Sequence, residues 1–438
     1  MKNFKVLPIT FAVASILSSA SVFAADTDMS ALEKRIQELE AKVVEIDYVN
    51  DQQQAVLTPD TKVPQGIVFS GYARYGAHYS DSDSRYVAVG STGKSLGRLG
   101  NEANGGEFQL GKIFQADNGA KWDLVVMFDE WAHRDWDSDG GVSLKKAYAG
   151  VTNIFESQPE LYMWAGRDFH GRQQQGLNDY FLFTHDGQGA GFNNLNLGGA
   201  KLDMGFVGKV DANGGSLNND NGVYAITSKL HGINAGIGNL DLYANYGFAS
   251  DQANSDESPN KSADTSWQVG AVLGLGSSNK LVMKYTDGAD DSAFDLKGDD
   301  FNVLYTSLEG NYKVSDQFII DYLVSYKNLS GKDVVNDAGD NLERNEYSGI
   351  IRPQYQWDEV HSTWLEAGYA MEDHDSGKEV NGWKVTLSQN VSLGGLPWSR
   401  PMLRFYTTVG DVETTEAGSS TSTSVDTLAV GAMFEAWW

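Results

Sequence analysis

The chain has 438 residues, with 59 acidic against 33 basic side chains for a formal charge of −26, 48 Gly and no Cys. That charge argues against nucleic acid as a partner, since a phosphate backbone is bound by cations, and the absence of Cys excludes disulfides and thiol chemistry. Beyond the N-terminus no run is long and apolar enough for a transmembrane helix, but alternating membrane strands also average out as polar, so a membrane barrel stays open.

Residues 1–24 read as a signal peptide. Lys2 and Lys5 supply its charged start, an apolar core follows, and Val22-Phe23-Ala24 is a small-residue cleavage site. Removing it makes the mature chain more acidic still. Residues 25–57 read as a coiled-coil segment. Met29, Leu32, Ile36, Leu39, Val43, Ile46 and Asn50 alternate at spacings of three and four, with charges at most other positions. Arg35-Ile36-Gln37-Glu38-Leu39-Glu40 resembles a short trimerisation motif, in which Arg35 pairs with Glu40 of a neighbouring helix. So short a seam is marginal by itself and needs a second contact to hold an oligomer. Residues 58–66, with Pro59 and Pro64, form a linker.

From residue 67 to 438 the period becomes two. Candidate strands are 67–79, 106–115, 121–131, 143–151, 160–167, 189–197, 200–210, 222–231, 239–249, 265–275, 279–287, 300–312, 317–327, 345–357, 361–372, 381–393, 400–410 and 424–437. Connections after odd-numbered strands are long and those after even-numbered strands are short. That alternation is expected of an up-and-down membrane barrel with long outer loops and short periplasmic turns. Lipid offers no hydrogen bonds, so such a sheet must close. The expected fold is all-β: an 18-stranded antiparallel transmembrane β-barrel with an N-terminal periplasmic coiled-coil helix, in the outer membrane of a Gram-negative envelope.

Among the connections, Trp164–Phe183 is too polar and Gly-interrupted for a core helix and too long for a turn. It sets Arg167, Asp168, His170, Arg172 and Asp179 among aromatics. Ordered loops of this length are uncommon and usually functional. Strand parity places Tyr72 with Ser70, Arg74 and His78, and Trp437 with Glu435 and Thr427, on the face opposite the apolar one. Trp398 shares a parity with Arg400, Arg404 and Tyr406. Barrel aromatics mostly form interfacial girdles. Inward rings beside charges instead suit a sugar, whose flat apolar face stacks while its hydroxyls exchange hydrogen bonds. Asp135, Asp137 and Asp139 match the first half of a calcium loop, but Lys146 stands at its twelfth position, which excludes an EF-hand and leaves a weak calcium candidate within an acidic loop. The seven His are scattered without metal spacing, and no nucleophile–base pair stands out. Neither an enzyme nor a cofactor is expected.

Several motifs together resemble the maltoporin (LamB-type) carbohydrate porins: FSGYAR at 69–74, RLGNE at 98–102, WAGR…R…DYF at 164–181, GQGAG at 187–191, WSRP at 398–401 and the closing MFEAWW. The N-terminal coiled coil is more like that of the sucrose-porin branch. The resemblance spans about 67–438. It implies a homotrimer of eighteen-stranded barrels in which sugars slide along aromatics past a constriction formed by the third long loop. Carried over by position, Tyr72, Trp136, Trp398 and Trp437 would be sugar-stacking residues. Arg74, Arg98, Glu107, Lys145, Arg172 and Asp179 would form the polar track, and Phe181 the constriction. Gly105 and Val269 stand where further slide aromatics belong, Lys145 replaces a track Arg, and Gln174 and Gly176 replace polar loop residues. The expected function is passive, sugar-selective diffusion of maltose, maltodextrin or a related oligosaccharide. A general cation-leaning diffusion pore and an envelope-tethering structural barrel are the alternatives.

Overall fold

The computed structural model describes residues 57–80, 87–131, 142–210, 220–250, 265–276, 278–297, 300–331, 343–394 and 397–438. The signal peptide, the heptad run and the acidic loop with Asp135, Trp136, Asp137 and Asp139 lie outside the described residues.

The strands in chain order are β1 (Val68–Ser80), β2 (Gly105–Gln115), β3 (Lys121–Glu130), β4 (Ser143–Thr152), β5 (Tyr162–Asp168), β6 (Gln173–Gln175), β7 (Tyr180–Leu182), β8 (Gly187–Asn196), β9 (Lys201–Val210) and β10 (Asp220–Asn234). They continue with β11 (Asn239–Ala249), β12 (Thr265–Leu275), β13 (Asn279–Asp287), β14 (Asn302–Lys313), β15 (Phe318–Ser330), β16 (Arg344–Gln356), β17 (His361–His374), β18 (Glu379–Ser392), β19 (Met402–Thr415) and β20 (Ser422–Trp437). All but β6 and β7 join one antiparallel sheet of 18 strands. β1 pairs with β2 on one side and with β20 on the other, setting Tyr72 opposite Trp437 and Arg74 opposite Glu435. Both edges of the sheet are thereby used up, as a hydrocarbon surrounding requires. β6 and β7 form a separate hairpin inside the third loop, a feature absent from the sequence expectation.

Side-chain alternation follows from the pleat. In β3, Lys121, Asp123, Val125, Met127 and Asp129 are buried, while Trp122, Leu124 and Phe128 are exposed. In β20, Leu428, Val430 and Phe434 point outward and Thr427 and Glu435 are buried. The apolar outer face is the one lipid accepts.

The alternation of long and short connections holds through most of the barrel and fails at its end. Residues 375–378 link β17 to β18, a shorter connection than 393–401 on the opposite rim. The reason lies in the strands. β17, β18 and β19 have 14 residues and β20 has 16, against 7 in β5, so ladder pairing takes up residues that the sequence pattern assigns to loops.

Among the described residues, parts of three long loops fold into the lumen. In the first (described from 87 to 104), Val87, Val89 and Leu96 pack with Ala370, and Leu99 packs with Trp364 and Met402. Lys384 Nζ donates to the Leu99 carbonyl at 2.5 Å. Burying Leu96 or Leu99 stabilises the inward position by about 1.5–3 kcal/mol each. The sixth loop (288–301) is tied down where Ser266 Oγ donates to the Ala293 carbonyl at 2.9 Å. The third loop (169–186) meets both of the others: Lys94 N–H donates to the Asn178 carbonyl at 2.5 Å, and Ala293 N–H to His185 Nε2 at 3.3 Å.

Candidate functional site

The candidate site lies along β1, β2, the end of β3, β20 and the facing side of the third loop. Tyr72 and Trp437 meet across the seam where the two ends of the barrel join. Their rings stack with centroids 6.5 Å apart and an interplanar angle of 23°. Trp131, the residue after β3, stands 6.1 Å from Tyr72 on its other side. Cations border all three rings: Arg400 lies 4.2 Å from the Trp437 centroid, and Arg74 lies 5.1 Å from that of Trp131 and 5.9 Å from that of Tyr72. Trp398 sits in the turn before β19, 49% exposed at the rim where Trp437 ends.

The charges beside this row form one network. Glu435, 1% exposed, is its hub. Tyr72 Oη donates to it at 2.8 Å, Arg98 lies at 3.2 Å, Arg400 at 2.5 Å and Arg404 at 3.1 Å. Arg404 also binds Glu102 at 2.5 Å. Arg74 forks onto Asp179 of the third loop, with both terminal nitrogens at 3.2 Å. Burial works against the Arg98 charge, but the Glu435 carboxylate more than compensates and holds this first-loop guanidinium well above its ordinary pKa. Arg98 is therefore charged throughout the physiological range.

The third loop is braced against several walls. Phe183 stacks on Tyr243 with centroids 4.0 Å apart. Tyr180 packs on Tyr305 at 5.3 Å and donates to Asp291. Gln175 bridges Tyr305 Oη at 2.6 Å and Ser307 Oγ at 2.8 Å, and Leu177 joins Leu323 and Ile350. On the face toward β1–β4, the Arg172 guanidinium lies 3.5 Å from the Phe169 centroid and 4.9 Å from that of Phe181, with Asp186 accepting from Arg172 Nε at 2.9 Å. The charges of Glu107 and Asp129 on the wall act on Arg172, and Lys145 pairs with Asp129 at 3.5 Å.

Of the residues carried over by resemblance, Tyr72 and Trp437 are in ring contact, and Arg74, Arg98 and Asp179 belong to the adjoining network. Arg172 and Phe181 are in contact on the loop, across from Glu107 and Lys145. Val269 departs from its expected place: it is 43% exposed on the outer face, and the inward neighbour is Gly270, whose space the Phe183 ring occupies. A shift of one residue along a strand exchanges the two faces. Trp131 was not among the expected stacking residues, although it shares the inward parity of Asp129.

His185 supplies a pH test. It is fully buried, donates from Nδ1 to the Phe183 carbonyl at 3.0 Å and accepts from Ala293 at Nε2. Burial pushes its pKa down to about 3, against about 6.5 for a free imidazole. The neutral form belongs to the folded loop, so its contribution is complete above about pH 6.5 and is lost as pH falls toward the folded value. Each pH unit in that window removes up to about 1.4 kcal/mol. Open-channel current noise is expected to rise between about pH 6 and pH 4 and to lose that rise in His185→Gln. Equal pH dependence in both proteins would show that the imidazole does not tie the two loops.

A closed barrel with a lipid-compatible exterior, a charged and aromatic lumen and a loop braced across it defines an outer-membrane porin, a multi-pass passive channel and not an enzyme. The family model described as LamB porin matches residues 67–438, and the chain belongs to that family. A maltoporin of Vibrio cholerae serotype O1 is 27% identical over 411 residues, covering 85% of this chain and 95% of that protein. Among solved structures, OccK3 (OpdO) of Pseudomonas aeruginosa is similar at a TM-score of 0.48 and 13% identity, over 89% of this chain and 99% of the other. The outer membrane channel DcaP of Acinetobacter baumannii is similar at 0.41 and 12%, over 85% and 97%.

Proposed function

We propose that the protein is a homotrimeric channel for passive, selective diffusion of maltose, maltodextrin or a related oligosaccharide. The observation that carries this reading is the stacked pair Tyr72–Trp437 bordered by Arg74, Arg400 and Glu435. A pyranose offers an apolar face to the rings and hydroxyls to the charges, and sliding exchanges one set of such contacts for the next. The maltoporin relatives support a sugar as the permeant. Trp398 extends the stacking surface at the rim, and Trp136 is assigned the position above it by resemblance. Two features favour a trimer. The outer face of the short strands carries a flat row, Ala149–Ala165–Ala190, paired in register and suited to close packing against another copy. The heptad run 29–50 offers a second contact, in the periplasm. The segment with Asp135, Asp137 and Asp139 stays a weak calcium candidate that this reading does not require.

Planar-bilayer recording tests the proposal. Maltooligosaccharides or sucrose are expected to block ion current through reconstituted protein in a saturable way. Selectivity for cations without block by any sugar would replace the reading with a general diffusion pore. In the same assay Phe181→Ala is expected to raise conductance and weaken block. The substitution removes a ring from the constriction and releases Arg172 from a cation–π contact of about 0.5–1 kcal/mol. Unchanged conductance would mean that Phe181 does not border the narrowest passage.

A further inference from the structure

We infer that Trp131 is a sugar-stacking residue, forming with Tyr72 and Trp437 one continuous three-ring surface; this rests on the sugar reading above. Four observations carry it. The ring centroids run Trp131–Tyr72–Trp437 at spacings of 6.1 and 6.5 Å, so Trp131 prolongs the row toward the outer loops instead of standing apart. Its parity with Asp123 and Asp129 points it into the lumen, away from the lipid-facing Trp122, which excludes a girdle role. Its indole N–H faces the Glu107 carboxylate and its ring lies beside the Arg74 guanidinium, so charged groups border it as they border Tyr72 and Trp437. Finally, Gly105, on the neighbouring strand, has a φ of +154° and its bare α-carbon lies under the Trp131 ring; a Cβ there would overlap the indole. An aromatic at 105 and the indole of Trp131 therefore exclude one another. The missing side chain at 105 is the space that Trp131 needs, and the stacking surface is kept by a ring delivered from β3 instead of β2.

The role assigned is that of a specificity-determining contact to one pyranose unit ahead of Tyr72. Longer oligosaccharides, able to cover all three rings, depend on it more than disaccharides do.

Current-block titrations with a maltooligosaccharide series test this on reconstituted wild-type protein, Trp131→Ala, Trp131→Leu, Trp131→Tyr and, as control, Trp122→Ala. Trp131→Ala and Trp131→Leu are expected to weaken block about three- to tenfold, the order of one lost stacking contact, with the largest loss for the longest sugar. Trp131→Leu keeps apolar bulk and so separates stacking from simple filling, should the alanine variant fold poorly. Trp131→Tyr is expected to restore most of the affinity, and Trp122→Ala to leave it unchanged. Wild-type affinity in Trp131→Leu would overturn the inference while leaving the sugar channel intact. A wild-type protein that no sugar blocks would overturn both.

Discussion

Glu435→Ala is expected to destabilise the barrel by about 3–5 kcal/mol, the cost of removing one partner from a buried ionic cluster. Arg98, Arg400 and Arg404 converge on that carboxylate; Arg404 also pairs with Glu102, whereas Arg400 loses its ion-pair partner. The damage would not stop at stability. Tyr72 would lose its acceptor and Arg400 the group that holds it over Trp437, so sugar block should weaken as well. Glu435→Gln keeps acceptor geometry without the charge and should cost less than the alanine variant. Urea titration in lipid, followed by tryptophan fluorescence, measures the first effect, and current block the second. A loss below about 1 kcal/mol would place the cluster among ion pairs that merely offset their own desolvation.

Asp291→Ala is the second large effect, on selectivity as much as on stability. The Asp291 carboxylate lies 3.1 Å from Lys284 and 3.0 Å from Lys327, both fully buried side chains, and receives the Tyr180 hydroxyl. Burial opposes its charge, but the two ammonium groups hold it well below the usual carboxylate range, so it stays ionised in acid that protonates ordinary carboxyls. Its removal leaves two buried cations, with Asp290 at 3.2 Å from Lys327 and the more distant charge of Glu346 as partial compensation. A destabilisation of about 3–5 kcal/mol follows from the broken buried pairs. The sixth loop should detach from the third, and the reversal potential in a salt gradient should move toward anions. An unmoved reversal potential would show that these lysines do not face the permeation path.

Much of the barrel was legible because period-two alternation and turn residues are local signals. The expected strands 121–131, 239–249, 265–275 and 279–287 match β3, β11, β12 and β13 within a residue. What escaped depends on partners distant in sequence. The β6–β7 hairpin has too few residues for alternation to register, and it is held by Tyr305, Ser307 and Asp291. The inward folding of the first loop had a readable sign in Val87, Val89, Leu96 and Leu99, apolar residues in a segment that solvent alone would keep polar. Seam closure followed from the lack of hydrogen-bond partners in lipid, and closure makes the strands of Tyr72 and Trp437 neighbours. Trp131 was within reach through parity, but the gap at Gly105 read as a loss because its filling comes from a different strand. Val269 shows the opposite error: correspondence by position does not survive a register difference of one.

The seam also bears on biogenesis. Tyr72 and Glu435 are 363 positions apart, and their hydrogen bond belongs to the last strand pairing the chain can make. Non-local pairings of this kind form slowly, because the intervening chain must first be ordered. The permeation pathway is thus assembled in the same event that seals the cylinder. A chain arrested before its final strand docks would lack Trp437 and, with Arg98 and Arg400 deprived of the Glu435 carboxylate, would carry an electrostatic mark of incompleteness for envelope quality control to detect.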